Sequence, residues 1–217
     1  MDFSDSRLDF KVKTLLIHAL RSEAGILKQH FPQADKISAQ HDPGIFALDH
    51  NYDLVRTGVG LDRSKFILEQ ISNIKNYNLV IHFGVSGALD DKLQIHTLIR
   101  SHQFKANGQH MITLDPLKHL VHQGVKETIF FSSQSAVIDE VSREQLIPTG
   151  AGAVDMESYS VAEFCQNQQL PLLAIRCISD RAGHSTSEDF RRNYNYASKI
   201  LQDYLLNNLL KPLKAKS

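Results

Sequence analysis

The run Leu79-Val80-Ile81-His82-Phe83, followed at once by Gly84-Val85-Ser86-Gly87-Ala88-Leu89, constrains the fold of this chain more than any other stretch. A near-continuous apolar run suits a strand covered on both faces, which places it in a sheet wrapped by helices. The small residues that follow would let a ligand approach the backbone closely, and N–H groups unpaired there would suit an oxygen-rich group such as ribose or phosphate. A second stretch repeats the pattern. Gly152-Ala153-Val154 leads to Glu157, residues 158–168 read as a helix, and Pro171-Leu172-Leu173-Ala174-Ile175 reads as a short strand that ends in polar Ser179 and Asp180. Ligands of open α/β sheets bind outside the carboxyl ends of strands, so Glu157 and Asp180 lead the site candidates.

Strands and helices alternate along the rest of the chain. Residues 12–19 form a first strand, and Ser22 suits the cap of a helix through residue 31 that Pro32 stops, which puts Glu23 in its first turn. Residues 44–48 and 52–56 resemble a hairpin about the turn Asp49-His50-Asn51. Thr57-Gly58-Val59-Gly60 lacks the third glycine of a dinucleotide fingerprint and any Gly-Lys-Ser/Thr, so it reads as a tight turn before a helix over 62–73. Residues 93–104, 109–114 and 128–133 read as strands, with short helices opening at Asp115 and Asp139. A long amphipathic helix over 187–210 carries Phe190, Tyr194, Ala197, Leu201, Tyr204 and Leu205 on one stripe, a cover for the sheet. Without repeat or linker, the expected architecture is one α/β domain over residues 11–217, a central mixed, partly barrel-like sheet flanked by helices, after an extension at residues 1–10.

Composition narrows the function classes. The 24 basic and 24 acidic residues cancel, so no global field draws the chain to nucleic acid or an anionic membrane. A small ligand is the better expectation. Cys165 and Cys177 lack any metal-binding or redox spacing and read as reduced core residues. His119 and His122, with no third ligand nearby in sequence, read as a solvated pair, so no metal and no cofactor is expected. No apolar run reaches membrane-spanning length and the first residues lack a signal pattern, which gives an expectation of a cytoplasmic protein.

Taken together, Ala19-Leu20-Arg21-Ser22-Glu23, Thr57-Gly58-Val59-Gly60, Gly84 to Leu89, Val154-Asp155-Met156-Glu157 and Arg176-Cys177-Ile178-Ser179-Asp180 resemble, in order, the motifs of the purine nucleoside phosphorylase and nucleosidase superfamily. The closest resemblance is to the branch of methylthioadenosine/S-adenosylhomocysteine nucleosidases, which hydrolyse the N-glycosidic bond of adenine nucleosides. The resemblance implies a nucleoside phosphorylase-like fold, a purine nucleoside as ligand and a homodimer. It implies that Asp180 protonates N7 of the leaving purine, that Glu157 holds the ribose hydroxyls over Met156, and that Glu23 positions the attacking water. Ser86, Gly87 and Ser179 would complete the binding surface. One acid must then be protonated while the other carboxylates are ionised. Bland readings exist for each: Glu157 suits a helix start, Asp180 a turn, and Glu23 a first helical turn.

The chain also departs from the family pattern. Phosphorolytic members carry an arginine two residues before the glycine of the Gly84 stretch and a serine just after it, where this chain has His82 and Val85. That favours hydrolysis, while Arg21, placed where phosphorylases keep an arginine after strand one, is a candidate phosphate ligand and keeps phosphorolysis open. Residues 100–123 are shorter than the family segment that completes a neighbouring subunit's site, and Ser133-Gln134-Ser135-Ala136-Val137 lack the aromatic that stacks on the base. Two alternatives to adenine nucleoside hydrolysis follow: a phosphorylase or adenosyl-lipid enzyme of the hopanoid type, and a catalytically idle nucleoside-binding relative.

Overall fold

The computed structural model describes residues 13–31, 35–36, 44–183 and 186–210. The expected extension at 1–10 and the helix stop at Pro32 lie outside them. Along the chain the strands are β1 (Thr14–His18), β2 (Asp35–Lys36), β3 (Ile45–Ala47), β4 (Tyr52–Arg56), β5 (Leu79–Ala88) and β6 (Leu98–Ser101). They continue as β7 (Gln103–Ala106), β8 (Ile112–Thr113), β9 (Lys126–Glu127), β10 (Phe130–Ser132), β11 (Ala153–Asp155) and β12 (Leu172–Arg181). All join one mixed sheet in the order β2-β3-β4-β1-β5-β11-β10-β7-β8, with β12 paired to β5 and β6, and β9 to β6. Five helices, α1 (Gly25–His30), α2 (Leu61–Glu69), α3 (Glu140–Leu146), α4 (Ser158–Gln168) and α5 (Thr186–Tyr204), complete the described fold. This is the mixed, helix-flanked sheet the alternation predicts.

β5 organises the sheet because it is long enough to serve three neighbours. Its first half runs parallel to β1, its whole length runs parallel to β12, and its last residues pair antiparallel with β11. Alternation along the strands divides the core between the two faces. Leu15, Ile17 and Val80 pack with α2 and α4 residues such as Leu68 and Val161, whereas Leu16, Ile81 and Phe83 pack with Leu27, Leu201 and Leu205 from α1 and the chain's last helix. Burying each such side chain stabilises the fold by roughly 1.5–3 kcal/mol.

Several boundaries differ from expectation for local reasons. The Gly84 stretch is not a loop but the continuation of β5 as far as Ala88, its backbone taken up by neighbouring strands. The helix expected from Ser22 begins instead as a 3-10 turn, Arg21–Ala24, and Ser22 does not cap it. The Glu23 carboxylate takes the N–H groups of Ala19 and Leu20, and the Ser22 hydroxyl sits 2.5 Å from the Tyr194 hydroxyl on α5. Helix α1 is instead held by Gln202, whose Oε1 accepts from the N–H groups of Ile26 and Leu27 at 2.8 and 3.3 Å. The strand expected over 93–104 breaks into β6 and β7, and the helix expected after Asp115 is one 3-10 turn, Lys118–Leu120, entered through left-handed Leu117. The hairpin at 44–56 and helix 158–168 form as expected, and Asp139 caps α3 by accepting from Ser142 N–H at 2.8 Å. The 187–210 helix begins one residue early and ends in π-type turns, Leu205–Leu210.

Candidate active site

Asp180 owes its position to an irregularity. The β5–β12 register shifts between Ile178 and Asp180, so Ser179 is an extra residue and Asp180 falls opposite Gly87. Such a bulge re-aims the side chain that follows it. Gly87 makes room for the carboxylate, because a Cβ there would lie 2.8 Å from Asp180 Oδ1 and 3.1 Å from Ala182 Cβ. Ser179 donates its hydroxyl to Asp180 Oδ2 at 2.7 Å.

Glu23 is fixed in the same manner. Its Oε2 accepts from Ala19 and Leu20 N–H at 3.1 and 2.7 Å, and its Oε1 accepts from Val85 N–H at 3.1 Å. A Cβ at Gly84 would stand 2.7 Å from Oε1. The two glycines therefore do not cradle a ligand with free N–H groups, as expected from the sequence; they admit two carboxylates against the strand. Ser86 Oγ is buried without a hydrogen-bond partner.

Glu157 stands where β11 passes into α4, and its Oε1 accepts from Gly60 N–H at 3.0 Å. Gly60 has φ of 106°, so the tight turn read from Gly58-Val59-Gly60 is real, and its N–H holds a carboxylate rather than a cofactor. Asp155 anchors this corner: its Oδ1 accepts from Ser132 Oγ at 2.6 Å and from the N–H groups of Glu157 and Ser158 at 3.3 and 3.1 Å. Its Oδ2 accepts from Ser158 Oγ and from Arg176 Nε and Nη2 at 3.2 and 3.0 Å. Arg176 is 1% exposed and spends its other N–H groups on the carbonyls of His82 and Ile175, the His82 ring and Ser158 Oγ.

One cavity of about 460 Å³ unites these groups. Glu23, Glu157, Asp180, Met156, Ser86, Gly87 and Ser179 all line it, together with apolar walls from Leu20, Val59, Val137, Ile138 and Phe190. Arg21 does not: it is exposed and lies outside the lining. His82, read as the place of a missing phosphate-binding arginine, is buried beneath the site against Arg176. Among the described residues, no lysine, arginine or histidine lines the cavity and no group of three His, Cys, Asp or Glu side chains is placed to hold a metal.

Burial sets the electrostatics. It raises the Asp180 pKa to about 6, against the Ser179 hydrogen bond, with Asp189 adding to the rise. It raises Glu157 to about 8, helped by the negative charge of Asp155 and opposed by Gly60 N–H and Arg176. Glu23 is raised too, by burial that its backbone hydrogen bonds and Arg176 only partly offset. Glu157 thus holds a proton more firmly than Asp180, the reverse of the order expected from the sequence. The reason is burial next to a second carboxylate, Asp155.

The Asp155–Arg176–His82 network is not among the site residues expected from the sequence. Its signal there is an arginine inside an otherwise apolar strand, since a buried guanidinium needs a carboxylate and acceptors.

The chain is similar to known proteins in sequence and in fold. A model of the phosphorylase superfamily matches residues 124–209. The 5'-methylthioadenosine/S-adenosylhomocysteine nucleosidase of Staphylococcus carnosus is 24% identical over 222 residues, covering 89% of this chain and 97% of that protein. The Thermotoga maritima nucleosidase of the same name is 38% identical over 74 residues, 34% of each chain. In structure, the chain resembles the Helicobacter pylori nucleosidase with butyl-thio-DADMe-Immucillin-A at a TM-score of 0.78 and 21% identity, covering 95% of this chain and 99% of the other. The native futalosine hydrolase of the same organism superimposes with a TM-score of 0.77 and 20% identity, over 96% and 99%. At such identities the structural likeness is one of fold.

Proposed function

We propose that the chain is a member of the purine nucleoside phosphorylase and nucleosidase superfamily and that it is a purine nucleosidase, cleaving the N-glycosidic bond of an adenine-type nucleoside with water. The observation that carries the proposal is the convergence of Asp180, Glu157 and Glu23 on one cavity whose lining has no cation among the described residues. A site that transfers a sugar to phosphate has to hold a doubly charged anion, and a lining of carboxylates with no basic side chain among the described residues opposes that. Water needs no such counter-charge.

In this reading Asp180, with a pKa near 6, gives its proton to N7 of the base as the C1′–N9 bond breaks. Water attacks C1′ and yields its proton to Glu23. Glu157 binds the ribose hydroxyls with Met156 beneath the sugar. The positive charge that develops on the ribose as the C1′–N9 bond breaks is stabilised by the ionised form of Glu157. The apolar walls suit a nucleoside with an apolar 5′ substituent, such as methylthioadenosine, and the homodimer implied by the family belongs to the same proposal.

The test is base release from a panel that includes methylthioadenosine, S-adenosylhomocysteine, adenosine and futalosine, with and without phosphate. Phosphate-independent release is expected. Release that requires phosphate or arsenate would replace hydrolysis by phosphorolysis, and nucleoside binding without turnover across the panel would leave an idle relative.

A further inference from the structure

His82 is a buried titratable group that the proposed chemistry does not use. It sits on β5 and is 1% exposed. Arg176 crosses from the adjacent strand β12, donates Nη1 to the His82 carbonyl at 3.1 Å, and places Nη2 3.0 Å from both ring nitrogens. A guanidinium has no acceptor, so the bond runs from arginine to an unprotonated ring nitrogen. Burial first, and then the charges of Arg176 and His18, hold the His82 pKa well below its ordinary value, so the ring stays neutral.

The consequence lies on the other side of Arg176. This cation bears on Glu23 and on Glu157, lowering both, while its direct partner is Asp155. It does so from outside the cavity lining. Backbone carbonyls of His82 and Ile175 and the Ser158 hydroxyl take N–H groups of the guanidinium, and the Asp155 carboxylate and the His82 ring hold its Nη2 end from two sides. The ring accepts a hydrogen bond at its one unprotonated nitrogen but adds no charge, whereas a second carboxylate would cancel the cation's effect on the site. We infer that His82 is a positioning residue, a neutral acceptor that pins the Arg176 guanidinium behind the cavity and leaves its charge to act on Glu157 and Glu23. The inference rests on the proposed carboxylate chemistry. The groups that face Glu157 are Asp155 from β11, Arg176 from β12, Glu23 from the turn after β1 and the Gly60 N–H; His18 from β1 and Arg176 face His82.

The test compares the pH profiles of base release for wild type, His82→Asn, His82→Leu and His82→Asp, with melting temperature recorded against pH for each. Asn offers an amide oxygen near the place of Nδ1 and should keep the wild-type profile. Leu removes the acceptor and frees the guanidinium to approach Glu157 or Glu23, so the limb governed by these carboxylates should move down by about one pH unit or more. Asp adds a charge that competes for the same guanidinium, and the limb should move up by a similar amount. Profiles identical across folded Leu and Asp variants would overturn the inference and leave His82 as packing. If the Leu variant does not fold, the opposed Asn and Asp results decide. Should the wild type release no base, the function reading fails, while melting temperature against pH still reads the same carboxylates and tests His82 independently.

Discussion

Asp155 and Asp180 stand in the walls of one cavity and are buried to similar extents, 8% and 5% exposed, yet their surroundings differ in kind. Asp155 faces a buried guanidinium, two hydroxyls and two backbone N–H groups. Asp180 has one serine hydroxyl and, among the described residues, no cation paired with it, and burial pushes its pKa to about 6. The comparison teaches that burial alone does not assign a carboxylate its work. A matched charge becomes scaffold, and an unmatched one is left ready to exchange a proton at neutral pH.

The same substitution at both positions would break or sharpen this contrast. Asp180→Asn should lower base release by about 10²–10⁴-fold, the usual worth of a general acid, without disturbing the fold. Asp155→Asn leaves Arg176 buried and uncompensated, and should cost about 3–5 kcal/mol of stability in denaturant unfolding. Like behaviour of the two variants in both assays would end the distinction. Gly87→Ala comes next, because the new Cβ would press on Asp180 Oδ1 from 2.8 Å. We expect base release to fall by about 10–100-fold through displacement of the acid, and the fall should be absent in an Asp180→Asn background.

The smallest expected effects come from pH. As the proposed general acid Asp180 can act only when protonated, so base release should decline as pH rises through about 6. Its folded pKa lies above the unfolded value, so its proton favours the folded state fully below about pH 4, and that contribution is lost as pH rises through about 6. Asp180→Asn escapes the loss. It should therefore be more stable than wild type at pH 7, by about 1–3 kcal/mol, and equal to it below about pH 4. A variant that is less stable at pH 7 would show that Asp180 is scaffold after all.

The fold was largely legible because apolar runs such as Leu79 to Phe83 and the helix over 158–168 carry their periodicity in one dimension. The carboxylates Glu23, Glu157 and Asp180 were legible through motifs, and the structure brings them to one cavity. Partnerships made across the sheet were not. Nothing near Gly60 in sequence shows that its N–H meets Glu157, and nothing near Gly84 shows that it makes room for Glu23. The bulge at Ser179 was hidden for the same reason, since a register shift exists only relative to a partner strand. Position in the chain also says nothing of depth: burial puts His82, which stands where phosphorolytic members carry an arginine, behind the cavity, while exposure puts Arg21, the candidate phosphate ligand, outside its lining.

The proposal stands or falls on water cutting the glycosidic bond in a carboxylate-lined cavity that has no cation among its described lining residues. Base release in phosphate-free buffer made with ¹⁸O-labelled water tests it most directly, with mass analysis of the sugar product. The account requires one ¹⁸O at the sugar's C1 hydroxyl and free purine in equal amount. No release without phosphate, together with an unlabelled sugar 1-phosphate when phosphate is added, would contradict it.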